Sequence, residues 1–150
     1  MRALAIALLI AGGAWHAGAW AQPKAAKTGQ VIVEIAGLHS GKGLVFVAIY
    51  CGEAGFPSDF KKTCASKVVK AQKGGLRVTF DAVPAGEFAV SMIHDENSNR
   101  TLDRNFLGIP KEGWGASRDA KARFGPPSYD DARLSLAADE KKLVVVHVQY

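Results

Sequence analysis

The chain has 150 residues and a formal net charge of +5, which suits one ordinary domain with a real core. Its cations Lys24, Lys27, Lys61, Lys62, Lys67, Lys70 and Lys73 form no dense basic run interleaved with aromatics. That spread argues against nucleic acid as a partner.

In chain order, Arg2 supplies a positive start, Ala3 to Ala14 are apolar or small, and Ala19-Trp20-Ala21 gives an A-x-A site before Gln22. Residues 1–21 therefore read as a secretory signal peptide. Gly12, Gly13, His16 and Gly18 interrupt the apolar run, which falls short of the roughly 20 residues of a spanning helix. No lipobox cysteine sits near the cleavage point. A periplasmic or secreted protein without a transmembrane segment is expected, with residues 22–28 as a flexible leader and residues 29–150 as a single domain. Cys51 and Cys64 are the two cysteines, and in an oxidising compartment such a pair predicts a structural disulfide.

Apolar positions in the remaining chain repeat mainly with period two. Val31, Val33 and Ile35 mark a first strand ending at Gly37, and Gly43–Tyr50 is a near-continuous apolar run expected at the centre of a sheet. Ser58–Lys62 predicts one helical turn inside the disulfide loop, capped by Ser58. Further strands are expected at Lys67–Gln72, Leu76–Phe80, Glu87–Ile93, Ala132–Ala137 and Leu143–Val148. About seven strands joined by Gly and Pro turns predict an all-β, antiparallel sandwich. The connection from His94 to Asp130 is far longer than the roughly 12–15 residues usual within a compact domain, and such loops are often functional.

That loop opens with His94-Asp95-Glu96-Asn97-Ser98-Asn99-Arg100-Thr101-Leu102-Asp103. Asp95, Asn97, Asn99 and Asp103 supply side-chain oxygens, and Thr101 a carbonyl, in the pattern a hard cation such as Ca²⁺ requires. Against the EF-hand template, Arg100 stands at the glycine position and Phe106 at the glutamate position. Two readings compete: a low-affinity Ca²⁺ loop, or Asx-turns in which the same oxygens accept backbone N–H groups.

His94, Trp114 and Tyr129 are the candidates for touching a ligand or an envelope protein partner. Trp114 lies between Gly113 and Gly115, which would leave its ring exposed as a binding platform; the alternative is that it covers one end of the core. No Ser-His-Asp order, G-x-S-x-G elbow or phosphate loop can be read, so no catalytic residue is assigned. The competing function is a hydrolase-like enzyme using His94 with Asp95 or Glu96.

Phe80-Asp81-Ala82-Val83-Pro84-Ala85-Gly86-Glu87-Phe88-Ala89-Val90 forms a Pro-Gly reversal like that of transthyretin-like and other immunoglobulin-like sandwiches. Taken with the 94–103 segment, Asn105–Ser117 and Gly125–Ala132, the chain resembles domain-of-unknown-function family 2141, small exported bacterial proteins. The resemblance implies a signal peptide, a β-sandwich and a final aromatic residue, here Tyr150. It supplies no activity.

Overall fold

A computed structural model describes residues 27–122 and 124–150; the expected signal peptide and nearly all of the leader lie outside them. Eight strands form two sheets. The first has the order β4 (Gly74–Pro84), β1 (Thr28–Leu38), β8 (Lys141–His147). The second runs β3 (Ala65–Lys70), β2 (Leu44–Tyr50), β5 (Gly86–Asp95), β6 (Gly113–Ala116), with β7 (Leu134–Leu136) pairing the start of β5. The protein is an all-β sandwich.

Alternation is what makes the sandwich. In β1 every second residue, including Val31, Val33 and Ile35, is buried, while Ile32 and Glu34 face outward. These inward side chains meet Val45, Val47 and Ile49 of β2 and Phe88, Val90 and Met92 of β5 in one apolar cluster. Burial of each such side chain stabilises by about 1.5–3 kcal/mol before entropy is counted. One corner between the sheets is joined by paired backbone bonds between Trp114 and Gln149, 2.9 and 2.8 Å. At the opposite corner Lys67 Nζ donates to the Thr79 carbonyl at 2.5 Å.

Two features depart from the expected architecture. The β1–β8 pair is parallel, because the chain returns to β1 from the opposite end of the molecule, and alternation carries no information on strand direction. An extra strand, β6, lies inside the long connection. Its inward positions are Gly113 and Gly115, so it shows no apolar alternation.

A second core covers part of the outer face of the larger sheet. Ala48, Tyr50, Ala89 and Ala116 pack against Ala120, Tyr129 and Ala132, with Phe56 and Phe60 over them. The disulfide joins Cys51 to Cys64 with a Cα separation of 5.8 Å, and it anchors the loop that carries both phenylalanines. The turn within that loop is a 3-10 helix at Phe60–Lys62, capped by Asp59 rather than Ser58. A short helix α1 (Tyr129–Ala132), capped by Ser128, closes the other side. Both cores, the disulfide and all eight strands of the described residues lie within residues 28–147, so residues 27–150 retain all of these contacts. No helix among the described residues is long and apolar enough to cross a membrane.

Candidate functional site

At the end of β5, three polar side chains are buried together: His94, Asp95 and Glu112. The Nε2 of His94 lies 2.9 Å from the Lys42 carbonyl, and Nδ1 lies 2.8 Å from the Tyr150 hydroxyl. A carbonyl only accepts, so Nε2 carries the proton and Nδ1 accepts from Tyr150 in the neutral ring. Tyr150 in turn accepts the His39 N–H at 3.2 Å. Burial raises the Tyr150 pKa above its ordinary value. His94 makes no hydrogen bond to Asp95 or Glu96, and both its nitrogens are engaged elsewhere.

Asp95 turns into its own loop, where its carboxylate accepts from Asn99 N at 3.1 Å and Arg100 N at 2.7 Å. Glu112 comes from the far end of the loop and accepts from Glu96 N and Asp103 N, both at 3.1 Å. Buried carboxylates are tolerable only with such charge-assisted bonds. Between these two anchors the segment curls. Asn97 and Asn99 donate their amides to the two oxygens of Asp103 at 2.7 and 3.0 Å. Their carbonyl oxygens accept backbone N–H groups two residues on, at Asn99 and Thr101. Thr101 also donates its hydroxyl to Asn99 at 2.7 Å. Ser98 and Arg100 adopt left-handed backbone conformations, φ 60° and 65°.

Of the five residues expected to hold a cation, Asn97 and Asn99 bond to Asp103, Thr101 bonds to Asn99, and Asp95 is taken up by the Asn99 and Arg100 N–H groups. Among the described residues no group of three or more His, Cys, Asp or Glu side chains is arranged for a metal ion. An oxygen-rich site here would draw on Asp95, Asp103 and the two amides, a low-charge donor set suited to a hard cation alone.

Glu96 points away from this cluster. Its carboxylate accepts Ser40 Oγ at 2.6 Å and meets His39 Nε2 at 3.0 Å. The Ser40 hydrogen bond, aided by His39 and opposed by partial burial, lowers its pKa. Ser40 and His39 both bond to the carboxylate rather than to one another, so no nucleophile–base pair forms. Ser117 is buried, accepting from Val90 N and donating to the Ala132 carbonyl at 2.6 Å.

The rest of the long connection builds a cleft on the outer face of the larger sheet. Cross-strand register aligns Val68, Phe46, Ile93 and Trp114 in one apolar row across β3, β2, β5 and β6. Two hollows lie above this row, and Ile93 and Leu102 line both of them. The larger part, about 620 Å³, has Trp114 on its floor and walls that include Arg104, Leu107, Ile109, Phe124 and Pro127. No carboxylate, histidine or cysteine among the described residues lines it.

Of the three residues expected at a ligand, Trp114 lines this cleft, His94 is sealed behind the loop and Tyr129 is buried against Phe56 in the second core. The flanking glycines have a different cause from an exposed platform. A Cβ on Gly113 would lie 2.7 Å from Tyr150 and Val148 atoms, and one on Gly115 would lie 2.7 Å from Val146 Cγ1. The inner side of β6 has no room, and the strand's one bulky side chain faces out.

Reasoning from sequence missed Glu112 as the brace of the loop and Arg104, Leu107 and Ile109 as cleft walls. The available signal was a set of apolar residues, Phe106, Leu107 and Ile109, in a loop where no strand or helix period accounts for them.

These features define a β-sandwich with an elaborated loop between its fifth and sixth strands. Residues 33–144 match the model of a family described as uncharacterized protein conserved in bacteria (DUF2141). The match covers more than half of the chain, which belongs to this family. No curated protein and no solved structure matches.

Proposed function

We propose that this protein is an exported, noncatalytic module that binds an apolar or amphipathic ligand in the cleft framed by residues 94–130. The observation that carries the reading is the cleft itself. Its volume of about 620 Å³ falls within the roughly 300–1,000 Å³ of small-molecule sites. Its floor is an indole, its walls are mainly apolar, with Leu107, Ile109 and Phe124 among them, and its polar side chains are Ser58, Ser91 and Arg104. A binding role is favoured over a hydrolytic one because the nearby titratable groups hold the loop together. Export, to the periplasm or beyond, is supported by the pattern of residues 1–21 and agrees with the disulfide.

The test uses residues 27–150, in which Trp114 is the single tryptophan. Titration with the probe 1-anilinonaphthalene-8-sulfonate should give saturable binding with energy transfer from Trp114. Ile109→Asp should weaken it roughly tenfold, the value of part of one buried aliphatic side chain. Absence of saturable binding overturns the proposal.

A second component concerns the Asp95–Asp103 loop, proposed as a low-affinity Ca²⁺ site that stiffens one wall of the cleft. The left-handed conformation of Arg100, at the position where an EF-hand loop has glycine, favours it. A cation would displace the two amide bonds to Asp103, so affinity belongs in the range of about 10⁻⁴–10⁻³ M seen for extracellular modules. At a hundredfold excess over Kd the gain in stability is about 2.7 kcal/mol. Asp95→Ala should abolish that gain, Glu96→Ala should preserve it, and Arg100→Gly should tighten binding. Melting that is unchanged across millimolar calcium leaves the turn network alone.

A further inference from the structure

We infer that the mouth of the cleft docks on an anionic lipid bilayer. The inference rests on the reading of residues 94–130 as the binding face and names the surface that this face meets. Four large apolar side chains stand in water there: Phe106 is 95% exposed, Leu107 67%, Ile109 55% and Phe124 90%. Leu107, Ile109 and Phe124 line the same cleft, and Phe106 precedes Leu107 at its rim in the chain. Scattered exposed apolar residues are ordinary, but contiguous patches mark interaction surfaces. Two phenyl rings held almost wholly in water add nothing to the core. At a membrane interface such rings sit at headgroup depth, and the aliphatic side chains beside them reach the acyl boundary.

Charge identifies the occupant. Residues 94–130 contain six basic residues and six acidic ones. The acidic side chains are all engaged: Asp95 accepts two N–H groups of its own loop, Glu96 is held by Ser40 and His39, and Asp130 pairs with Arg133. Asp103 is held by the Asn97 and Asn99 amides, Glu112 by two backbone N–H groups, and Asp119 by His147 N and Nδ1 at 3.0 and 2.7 Å. Arg100, Arg104, Lys111, Arg118 and Lys121 are exposed. Among the described residues none of these five makes an ion pair. Arg104 lines the cleft, Lys111 follows the lining residue Pro110, and Lys121 precedes Phe124 by three positions. An apolar centre with Arg104 in its wall, and further cations without ion pairs close to it in the chain, suits a surface of anionic headgroups over acyl chains, where each cation adds to the attraction.

Residues 27–150 are the material for the test, so that the apolar run 3–14 of the expected signal peptide does not contribute. They are sedimented with phosphatidylcholine vesicles, with and without one third phosphatidylglycerol, while Trp114 emission is followed. Binding to the anionic vesicles should exceed that to the neutral ones by about tenfold or more and weaken with added salt. The double variant Phe106→Asp/Phe124→Asp should lose binding by about tenfold or more with melting unchanged, because both rings lie outside the core. Arg104→Glu/Lys111→Glu should lose the preference for anionic lipid. Vesicle binding that survives Phe106→Asp/Phe124→Asp overturns the inference by placing contact elsewhere. Binding to polyglutamate with none to vesicles assigns the cations to an acidic protein partner, and also overturns it. If the naphthalene probe binds but no vesicle does, docking fails and the cleft reading stands; if neither binds, both fail.

Discussion

Glu112 holds the entry and exit of the 96–103 loop with a single buried carboxylate, and this is the most consequential side chain in the segment. Removing it leaves the Glu96 and Asp103 N–H groups unpaired in a buried setting. Hydrogen bonds to charged groups are worth about 1.5–3 kcal/mol each, so Glu112→Ala should cost several kcal/mol locally. Amide exchange measured residue by residue should rise across 96–103, with the β1 and β2 amides still protected. Equal loss of protection in both places contradicts the brace role. Tyr150→Phe should cost about 1 kcal/mol by leaving His94 Nδ1 without its donor, read as a lowered denaturant midpoint. Glu96 supplies the pH dependence at this scale. Its folded-state pKa lies below the ordinary 4.5 because Ser40 and His39 bind the ionised form. The stability it contributes is full above the ordinary value and disappears as pH falls through the depressed one. In Ser40→Ala the carboxyl should titrate at higher pH by ¹³C NMR, and the acid limb of the melting profile should move the same way.

Among the elements, β6 is the least tolerant of change. Gly115→Ala places a methyl group 2.7 Å from Val146 Cγ1 and 3.0 Å from the His147 carbonyl. Overpacking of this kind costs about 1–3 kcal/mol, and thermal denaturation should register it. The same geometry explains what the sequence conceals. β1, β2 and β5 could be read because Val, Ile and Phe alternate in them or fill them, as half-buried and central strands require. In β6 the inward positions are Gly113 and Gly115, which hold no side chains, so the pattern that announces a strand is missing. The direction of β8 was likewise hidden, since Val144 and Val146 would alternate identically in a parallel or an antiparallel pair. The Cys51–Cys64 link was legible from compartment chemistry, and its closed loop supports the second core. Cys51→Ala/Cys64→Ala should lower stability by about 3 kcal/mol through the unfolded chain. Two reactive thiols in the unfolded protein, prepared under oxidising conditions, would contradict the assignment.

On the scale of the whole molecule, the sandwich is a platform and the 94–130 connection is what it carries. The contact of Asn97 and Asn99 with Asp103 could be anticipated from spacing, because alternate residues in a tight turn share a side. The cleft could not, because its floor is a row across four strands and depends on a register that no local pattern encodes. Among the described residues, two exposed apolar areas offer alternative places for an apolar probe. One is the cleft with its rim; the other is the outer face of the smaller sheet, where Leu143 is 55% and Val145 39% exposed beside Ile32 and Glu34 of β1. Binding in the cleft is the central claim, and amide shift mapping of ¹⁵N-labelled residues 27–150 with 1-anilinonaphthalene-8-sulfonate tests it most directly. The account predicts perturbations at the Trp114 indole N–H and at Arg104, Leu107 and Ile109, with Ile32, Leu143 and Val145 unmoved. Shifts confined to those last three residues would contradict it.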